Sequence, residues 1–244
     1  MIRRRLAVFS CAALLFAVGV AGQFALARNG VTGSPVVGES FIAALGGLRS
    51  LAAEIVWFRA DRLQEQGRFG EIVQLSSMLT FLEPHEPEVW VYAAWNMAYN
   101  ISVRMPREKD RWPWVYEGIK LLRDQGLKWN PRDATLYAEL ATLFQLKVGL
   151  DHDTAGPYYR EEWRRIVEDV SSRGAWHELA MDPAEMSEIG KSYGIDDWTN
   201  PQASAIYWAH RGLAFADESE RGLLEMKLSL SRKLYSKPSG GKGA

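Results

Sequence analysis

The stretch QGRFGEIV at residues 66–73, followed by LEP at residues 82–84, decides the fold class of this chain. Gly67 allows a tight turn between two helices, because a residue without a side chain adopts a positive φ angle at little cost. Phe69 follows two positions later, where an aromatic ring packs beneath such a turn. Pro84 ends the second helix, since proline cannot continue the backbone hydrogen-bond ladder. The spacing therefore predicts two helices joined at Gly67.

Apolar residues recur with a helical period along the rest of the chain, and no run alternates with the period of a strand. Further helix starts are predicted at Pro87, at Asp182-Pro183 and at Asn200-Pro201, where proline occupies a first-turn position. An inserted loop is predicted at residues 103–110. The chain is therefore predicted to be all-α.

Two of the predicted helices carry a clear apolar stripe. In the first helix, which ends near Gln66, the stripe consists of Leu48, Leu51, Ile55 and Phe58. In the last helix, predicted over residues 218–235, it consists of Leu223, Met226, Leu230 and Leu234. Such stripes are typical of the face that a helix turns toward its neighbours.

These helix pairs resemble the tetratricopeptide repeat family. The resemblance is strongest over residues 48–84, continues over 87–131 and 134–170, and is weakest over 201–235. The interval between Pro84 and Pro131 is longer than the 34 residues of a regular repeat, so the repeats are degenerate.

A second resemblance concerns residues 47–100, from GLR through AWNMAYN, and the YWAHRG stretch at residues 207–212. Both are similar to segments of a group of membrane-anchored bacterial proteins with degenerate repeats and no established activity. This resemblance implies a location for the protein and leaves its activity open.

The resemblance to tetratricopeptide repeats implies a groove that is lined by the first helix of each pair and that holds a partner protein or peptide. Alignment on the closing prolines gives the inner-face residues Trp57, Phe58, Asp61, Tyr92, Trp95, Tyr99, Glu139, Thr142 and Gln145. Family members that clamp a carboxylate have lysine, arginine and asparagine at matching sites, so a carboxylate-clamp cochaperone is not expected. The spacing leaves open whether the rings are exposed or packed between helices.

The N-terminal segment predicts export or membrane insertion. Residues 1–5 include three arginines, and residues 6–27 are almost entirely apolar. This segment is either a signal peptide cleaved after Ala27 or an uncleaved anchor. Its length favours the anchor, because signal-peptide apolar regions span about 7 to 15 residues and a bilayer needs about 20. The arginines should stay in the cytoplasm, which places the body in the periplasm or at the cell exterior.

The predicted organisation has four parts. Residues 1–27 are the signal anchor or signal peptide, residues 28–39 a flexible linker, residues 40–236 the helical domain and residues 237–244 a disordered tail. The whole is predicted to be a tetratricopeptide-like α-solenoid of antiparallel helix pairs, preceded by one N-terminal transmembrane or signal-anchor helix in the bacterial inner membrane. If the segment is cleaved, an exported soluble form is expected.

Composition and motifs exclude several function classes. The net charge is −1 over the whole chain and becomes more negative when the N-terminal arginines are left out. We therefore expect no nucleic-acid partner. Cys11 is the single cysteine and lies within the apolar segment. The four histidines lack metal-ligand spacing, Asp153 lies where a helix cap is expected, and no phosphate-binding loop or nucleophile elbow occurs. We expect no catalytic residue, no metal and no cofactor, and therefore no enzyme.

The sequence thus favours a membrane-anchored, periplasm-facing adaptor that binds a partner protein or peptide in an envelope assembly. The alternative is a carbohydrate or peptidoglycan-strand binding module, because Trp and Tyr rings along a groove suit sugar faces. An enzyme without a recognisable motif is the weakest of the three hypotheses.

Overall fold

The computed structural model describes the backbone of residues 35–236 and side chains from Arg49 onward. Within this range the chain forms nine helices and no strand, which confirms the all-α prediction. The predicted signal segment, residues 28–34 of the linker and the predicted tail lie outside it. Within the described residues, those up to Arg49 fall in one unit and those from Ser50 onward in a second, compact one.

The helices are numbered here in chain order. They are α1 (Pro35–Glu65), α2 (Phe69–Leu82), α3 (Pro87–Trp95), α4 (Glu108–Lys120), α5 (Ala134–Thr142), α6 (Gly156–Arg173), α7 (Pro183–Tyr193), α8 (Pro201–Leu213) and α9 (Glu218–Tyr235). Three of them continue as π-helix, namely α3 through Asn96–Ile101, α4 through Leu121–Gly126 and α5 through Leu143–Val148. A single α-helical turn, Leu127–Trp129, closes the α4 segment.

The turn predicted at Gly67 is confirmed. Gly67 has a φ angle of +69°, the left-handed conformation that glycine adopts most readily. Phe69 is the first residue of α2, and the Arg104 guanidinium lies 4.5 Å from the centre of its ring. The predicted starts at Pro87, Pro183 and Pro201 are also confirmed as first residues of α3, α7 and α8.

Two predicted irregular segments are partly helical. Helix α1 already begins at Pro35, so the prediction of a flexible linker is wrong for residues 35–39. The predicted loop at residues 103–110 is shorter, because a 3₁₀ turn covers Ser102–Arg104 and α4 begins at Glu108. Two acids in the first turn of α4, Glu108 and Asp110, favour this earlier start through the helix dipole.

Most described residues of both predicted apolar stripes are exposed, while Leu234 is half-buried and the side chain of Leu48 lies outside the described residues. In α1 the buried residues are Ala53, Val56, Ala60 and Leu63, whereas Leu51, Ile55 and Phe58 are exposed. In α9 the buried residues are Leu224, Leu228 and Ser231, whereas Leu223, Met226 and Leu230 are exposed. Each helix is apolar on two faces, so periodicity alone cannot select the face that packs.

Packing connects alternate helices as well as successive ones. Helix α3 contacts α5, and α5 contacts α8. Helices α4, α6 and α9 each contact the helix directly before them, namely α3, the α5 segment and α8. Large aromatic side chains fill the interior, with Tyr159 and Trp163 of α6 and Tyr207 and Trp208 of α8 almost fully buried. Helix α7 stands apart, with only slight contact to α8. The row of α3, α5 and α8 positions the candidate site.

Candidate functional site

Four aromatic residues of the predicted inner face form two ring contacts. The rings of Trp57 in α1 and Tyr92 in α3 meet edge to face, with centroids 4.9 Å apart. Further along α3, Trp95 and Tyr99 stack with centroids 4.4 Å apart and an interplanar angle of 25°. We name these four residues the aromatic band. Tyr92, Trp95 and Tyr99 follow one another at helical spacing, so α3 carries most of the band.

Trp95 is both exposed and held in place. Its side chain is 37% exposed. One face of the indole lies on Tyr99, and its Nε1–H donates to Glu139 Oε2 of α5 at 2.8 Å. Burial, and to a lesser extent the Glu139 carboxylate, raises the pKa of Tyr99. An exposed ring with a fixed orientation loses little conformational entropy when another molecule contacts it.

Phe58 and Asp61 are exposed on α1, beside the band. The Phe58 ring is 55% exposed and lies 5.3 Å from the Arg62 guanidinium. Burial, and to a lesser extent the Asp61 carboxylate, raises the pKa of Tyr92, so Asp61 lies close enough to act on that hydroxyl. Within the described residues, Phe58 makes no ring contact with the band.

Thr142 and Gln145 are buried instead of facing a groove. Gln145 is 3% exposed, and its Nε2 donates to Lys227 O at 2.9 Å and to Ser231 Oγ at 2.6 Å. Thr142 accepts a hydrogen bond from Lys227 Nζ. Helix α9 therefore covers this part of the predicted inner face. A partner can reach neither residue while α9 stays in place.

A side pocket of about 500 Å³ opens next to the stacked pair. Its lining residues are Trp95, Tyr99, Val103, Leu146, Lys147, His152, Asp153 and Thr154. Most of this lining is apolar, with a few polar groups at one end. The volume and the composition of the lining are typical of a site for one side chain or a small ligand group.

Below the side pocket lies a buried cluster of ions. Lys147 Nζ is 2.7 Å from Asp153 Oδ2, and the two side chains are 4% and 7% exposed. Asp153 also accepts from Arg111 Nη1 at 3.0 Å, from Tyr159 Oη at 2.9 Å and from the backbone N–H of Ala155 at 3.0 Å. One carboxylate thus serves two cations, and the cluster carries a net positive charge.

The pKa shifts follow from this arrangement. Burial alone raises the pKa of Asp153, but the donors, above all Lys147, outweigh burial and lower that pKa to about 2. Burial lowers the pKa of Lys147, while the ion pair with Asp153 acts in the opposite direction. The carboxylate therefore stays ionised at all but strongly acidic pH.

The sequence prediction missed Lys147 and read Asp153 only as a cap. A signal for Lys147 is present, since it continues the apolar stripe of Leu136, Leu140 and Phe144 on the same helix. A lysine in line with buried apolar residues needs a buried partner of opposite charge. The identity of that partner depends on how the loop after α5 folds back.

Two π-helical segments position the side pocket. Tyr99 lies in Asn96–Ile101 and Lys147 in Leu143–Val148, and the two segments contact each other. A π-helical turn holds more residues than an α-helical turn, so side chains within it rotate away from the faces that α-helical spacing predicts. Segments of this kind occur often at functional sites.

Ionisable residues elsewhere in the described chain form no metal-binding group. Within residues 49–236, His, Cys, Asp and Glu side chains nowhere gather in threes at coordinating distance. His210 Nδ1 instead pairs with Tyr193 Oη at 3.0 Å. The described helices also include none with the length and apolar character that a bilayer crossing needs.

Comparison with known proteins returned no match to a family model, to a curated protein or to a solved structure.

Proposed function

We propose that this protein is an adaptor whose aromatic band binds a segment of a partner protein. The observation that carries the proposal is Trp95, which is 37% exposed yet fixed by Tyr99 and Glu139. Tryptophan and tyrosine dominate the binding energy of protein interfaces when they are preorganised and flanked by a pocket. The side pocket beside Trp95 accepts an apolar side chain of the partner.

The packing of the helices supports a tetratricopeptide-like arrangement. In such a stack the first helix of each pair contacts the first helix of the next. Contacts run from α3 to α5 and from α5 to α8, which are the first helices of three predicted pairs. The band lies on the first of these helices and on α1, as the alignment on closing prolines expects. In this proposal α7 is an insertion between the third and last pairs.

Charge around the band favours a polypeptide over a sugar. Glu139 already uses Oε2 to fix Trp95, and Tyr99 covers one face of the indole. A sugar ring needs a free aromatic face together with polar neighbours that can accept and donate. Acidic groups lie at both ring contacts, with Asp61 acting on Tyr92 and Glu139 bonded to Trp95, so the band favours a segment with basic or neutral side chains. An extended peptide can span both ring contacts.

Replacing Trp95 with alanine tests the proposal. We expect the partner to be lost from co-purification out of detergent-solubilised membranes, with a fall in unfolding free energy of about 2 kcal/mol, below the roughly 3–5 kcal/mol of a fully buried aromatic ring, because the ring is partly exposed. Trp129→Ala is the matched control, since Trp129 is 47% exposed and lies at the end of the α4 segment, outside the band. Trp129→Ala should retain the partner.

The outcomes separate the alternatives. If Trp95→Ala retains every protein that the unmodified chain captures, the adaptor proposal fails at this site. If the variant instead loses retention on immobilised glycan strands while protein capture is unchanged, the carbohydrate hypothesis replaces it. A loss of several kcal/mol in stability would assign Trp95 to the core.

The adaptor is proposed to be anchored in the bacterial inner membrane with its body in the periplasm. This rests on the arginines of residues 1–5 and the apolar residues 6–27. N-terminal sequencing of protein extracted from membranes should return the uncleaved start. A mature chain that begins at Arg28 and is released without detergent would replace the anchor with an exported form.

A further inference from the structure

Three carboxylates line the aromatic band. Glu139 Oε2 accepts from Trp95 Nε1 at 2.8 Å, and Glu83 Oε2 accepts from Trp57 Nε1 at 3.4 Å. Asp61 is exposed one helical turn after Trp57 on α1. Within the described residues, no lysine or arginine forms an ion pair with any of the three. Acids on α6 are by contrast paired with arginines of the same helix. The band therefore carries negative charge that no ion pair neutralises.

The cations nearest to the band offset this charge only in part. Lys227 Nζ donates to a threonine hydroxyl, and burial lowers the pKa of Lys227 while the Glu139 carboxylate acts in the opposite direction. Arg62 lies beside the band, 5.3 Å from the centre of the Phe58 ring. Lys147 is buried behind the stacked pair in its ion pair. A ligand on the open side of the band thus meets the carboxylates first.

Trp95 presents a surface that suits a cation. Tyr99 covers one face of the indole and Glu139 holds its edge, so the exposed 37% of the side chain includes the second face. An ammonium or guanidinium group is attracted to the face of an aromatic ring, and tryptophan attracts it most strongly. The Glu139 carboxylate at the ring edge can form a charge-assisted hydrogen bond with the same cation. Aromatic face and carboxylate therefore act together on one basic side chain.

We propose that the aromatic band recognises a basic segment of the partner protein. A lysine or arginine of that segment lies on the second face of Trp95 and pairs with Glu139, and further basic residues face Asp61 and Glu83. An apolar neighbour in the segment enters the side pocket. This inference rests on the proposed function, because it names the chemistry of the partner that the band binds. Acidic segments are rejected, since they would place like charges together.

Selection from random peptides displayed on phage tests the charge of the segment. The full chain in mild detergent is the bait, and a parallel selection uses Trp95→Ala. Peptides that the parent retains and Trp95→Ala releases are those bound at the band. We expect lysine and arginine to be enriched about twofold in this set, next to an apolar residue, and aspartate and glutamate to be depleted.

The composition of the set decides between the two proposals. A set that depends on Trp95 but is not enriched in basic residues overturns the basic-segment proposal and leaves the adaptor proposal in place. If no retained peptide depends on Trp95, both proposals fail at this site.

Removing one charge at the band provides the second test. Glu139→Gln keeps an oxygen that accepts from the indole N–H, so Trp95 stays oriented while the negative charge is lost. The affinity of the most enriched basic peptide, measured by fluorescence anisotropy at low ionic strength, should fall about fivefold. Salt should reduce this difference, because it screens exposed charges. Helical content and melting temperature should match those of the parent.

Glu188→Gln is the matched control. Glu188 is an exposed acid on α7, so its substitution removes the same charge away from the band. It should bind the peptide as tightly as the parent. An equal loss of affinity in Glu188→Gln would assign the effect to net charge, and an unchanged affinity in Glu139→Gln would overturn the pairing with the band.

Discussion

The two halves of the predicted inner face differ in what covers them. On α1 and α3 the aromatic band is open, and Trp95 lies at the rim of the side pocket. On α5 the equivalent positions, Thr142 and Gln145, are covered by α9 and hydrogen-bonded to it. Both halves have the same helical spacing in the sequence.

The position of a residue within a predicted helix pair is therefore not sufficient to make it part of an accessible surface. Register places a side chain on the concave side, but a later helix can occupy that side. Here α9 packs on α5 and forms hydrogen bonds with Thr142 and Gln145. The band on α1 and α3 is therefore the accessible part of the predicted inner face. Substitutions in the covered half should therefore change stability, and those in the open half should change binding.

The largest effect is expected at the buried ion cluster below the side pocket. Asp153→Asn leaves Lys147 and Arg111 without their shared carboxylate, which should cost about 3–5 kcal/mol of unfolding free energy. Urea unfolding followed by circular dichroism in mild detergent measures it. Asp151→Asn is the control, because its carboxylate is exposed and its partner Arg160 only half-buried, and it should cost about 1 kcal/mol or less. Equal costs would refute the buried cluster.

The pH dependence sharpens this test. The pKa of Asp153 is lowered to about 2 in the folded chain, below its ordinary value of 3.8. The stabilisation is therefore complete above about pH 4 and is lost as the pH falls toward 2. The stability gap between the parent and Asp153→Asn should narrow by about 2 kcal/mol over this range. A gap that stays constant between pH 5 and pH 2.5 would show that the carboxylate is not stabilised by its donors.

An intermediate effect is expected at Gln145. Gln145→Ala removes the donor to Ser231 Oγ and the second donor to Lys227 O, and it leaves a gap between α5 and α9, at a cost of about 2 kcal/mol. Asp61→Ala in the open half should stay within about 0.5 kcal/mol, because Asp61 is exposed. The two melts compare the halves directly. If Gln145→Ala lowers the unfolding free energy no more than Asp61→Ala does, then α9 does not cover Thr142 and Gln145.

The smallest effect is expected at Gly67, in the turn between α1 and α2. This turn lies outside both halves of the predicted inner face. Gly67→Val forces a β-branched residue into a φ angle of +69°, so the unfolding free energy should fall by about 1 kcal/mol or more. Gly70→Ala is the control, since a Cβ there meets no atom within 4 Å and alanine favours the helix. Thermal unfolding of both variants measures the contrast. An unchanged melting temperature for Gly67→Val would show that the turn at Gly67 does not fix how α1 and α2 pair.

The sequence by itself determined the class of the fold and the features that depend on neighbouring residues. The turn at Gly67 and the helix starts at Pro87, Pro183 and Pro201 follow from backbone conformations and caps that act over a few residues. Such features need no distant contact, so a single sequence suffices. The grouping of aromatic residues on α3 belongs here too, because helical spacing is local.

Which helix faces are buried and which charged side chains pair with each other depends on the tertiary structure. Helices α1 and α9 are apolar on two sides, so the neighbours that pack on them choose the buried stripe. Gln145 meets Ser231 and Lys147 meets Asp153 only because α9 and the loop after α5 pack against the π-helical end of α5. Arg111 meets Asp153 across a sequence separation of 42 residues. These outcomes rest on long-range packing, and helical periodicity carries no information about it.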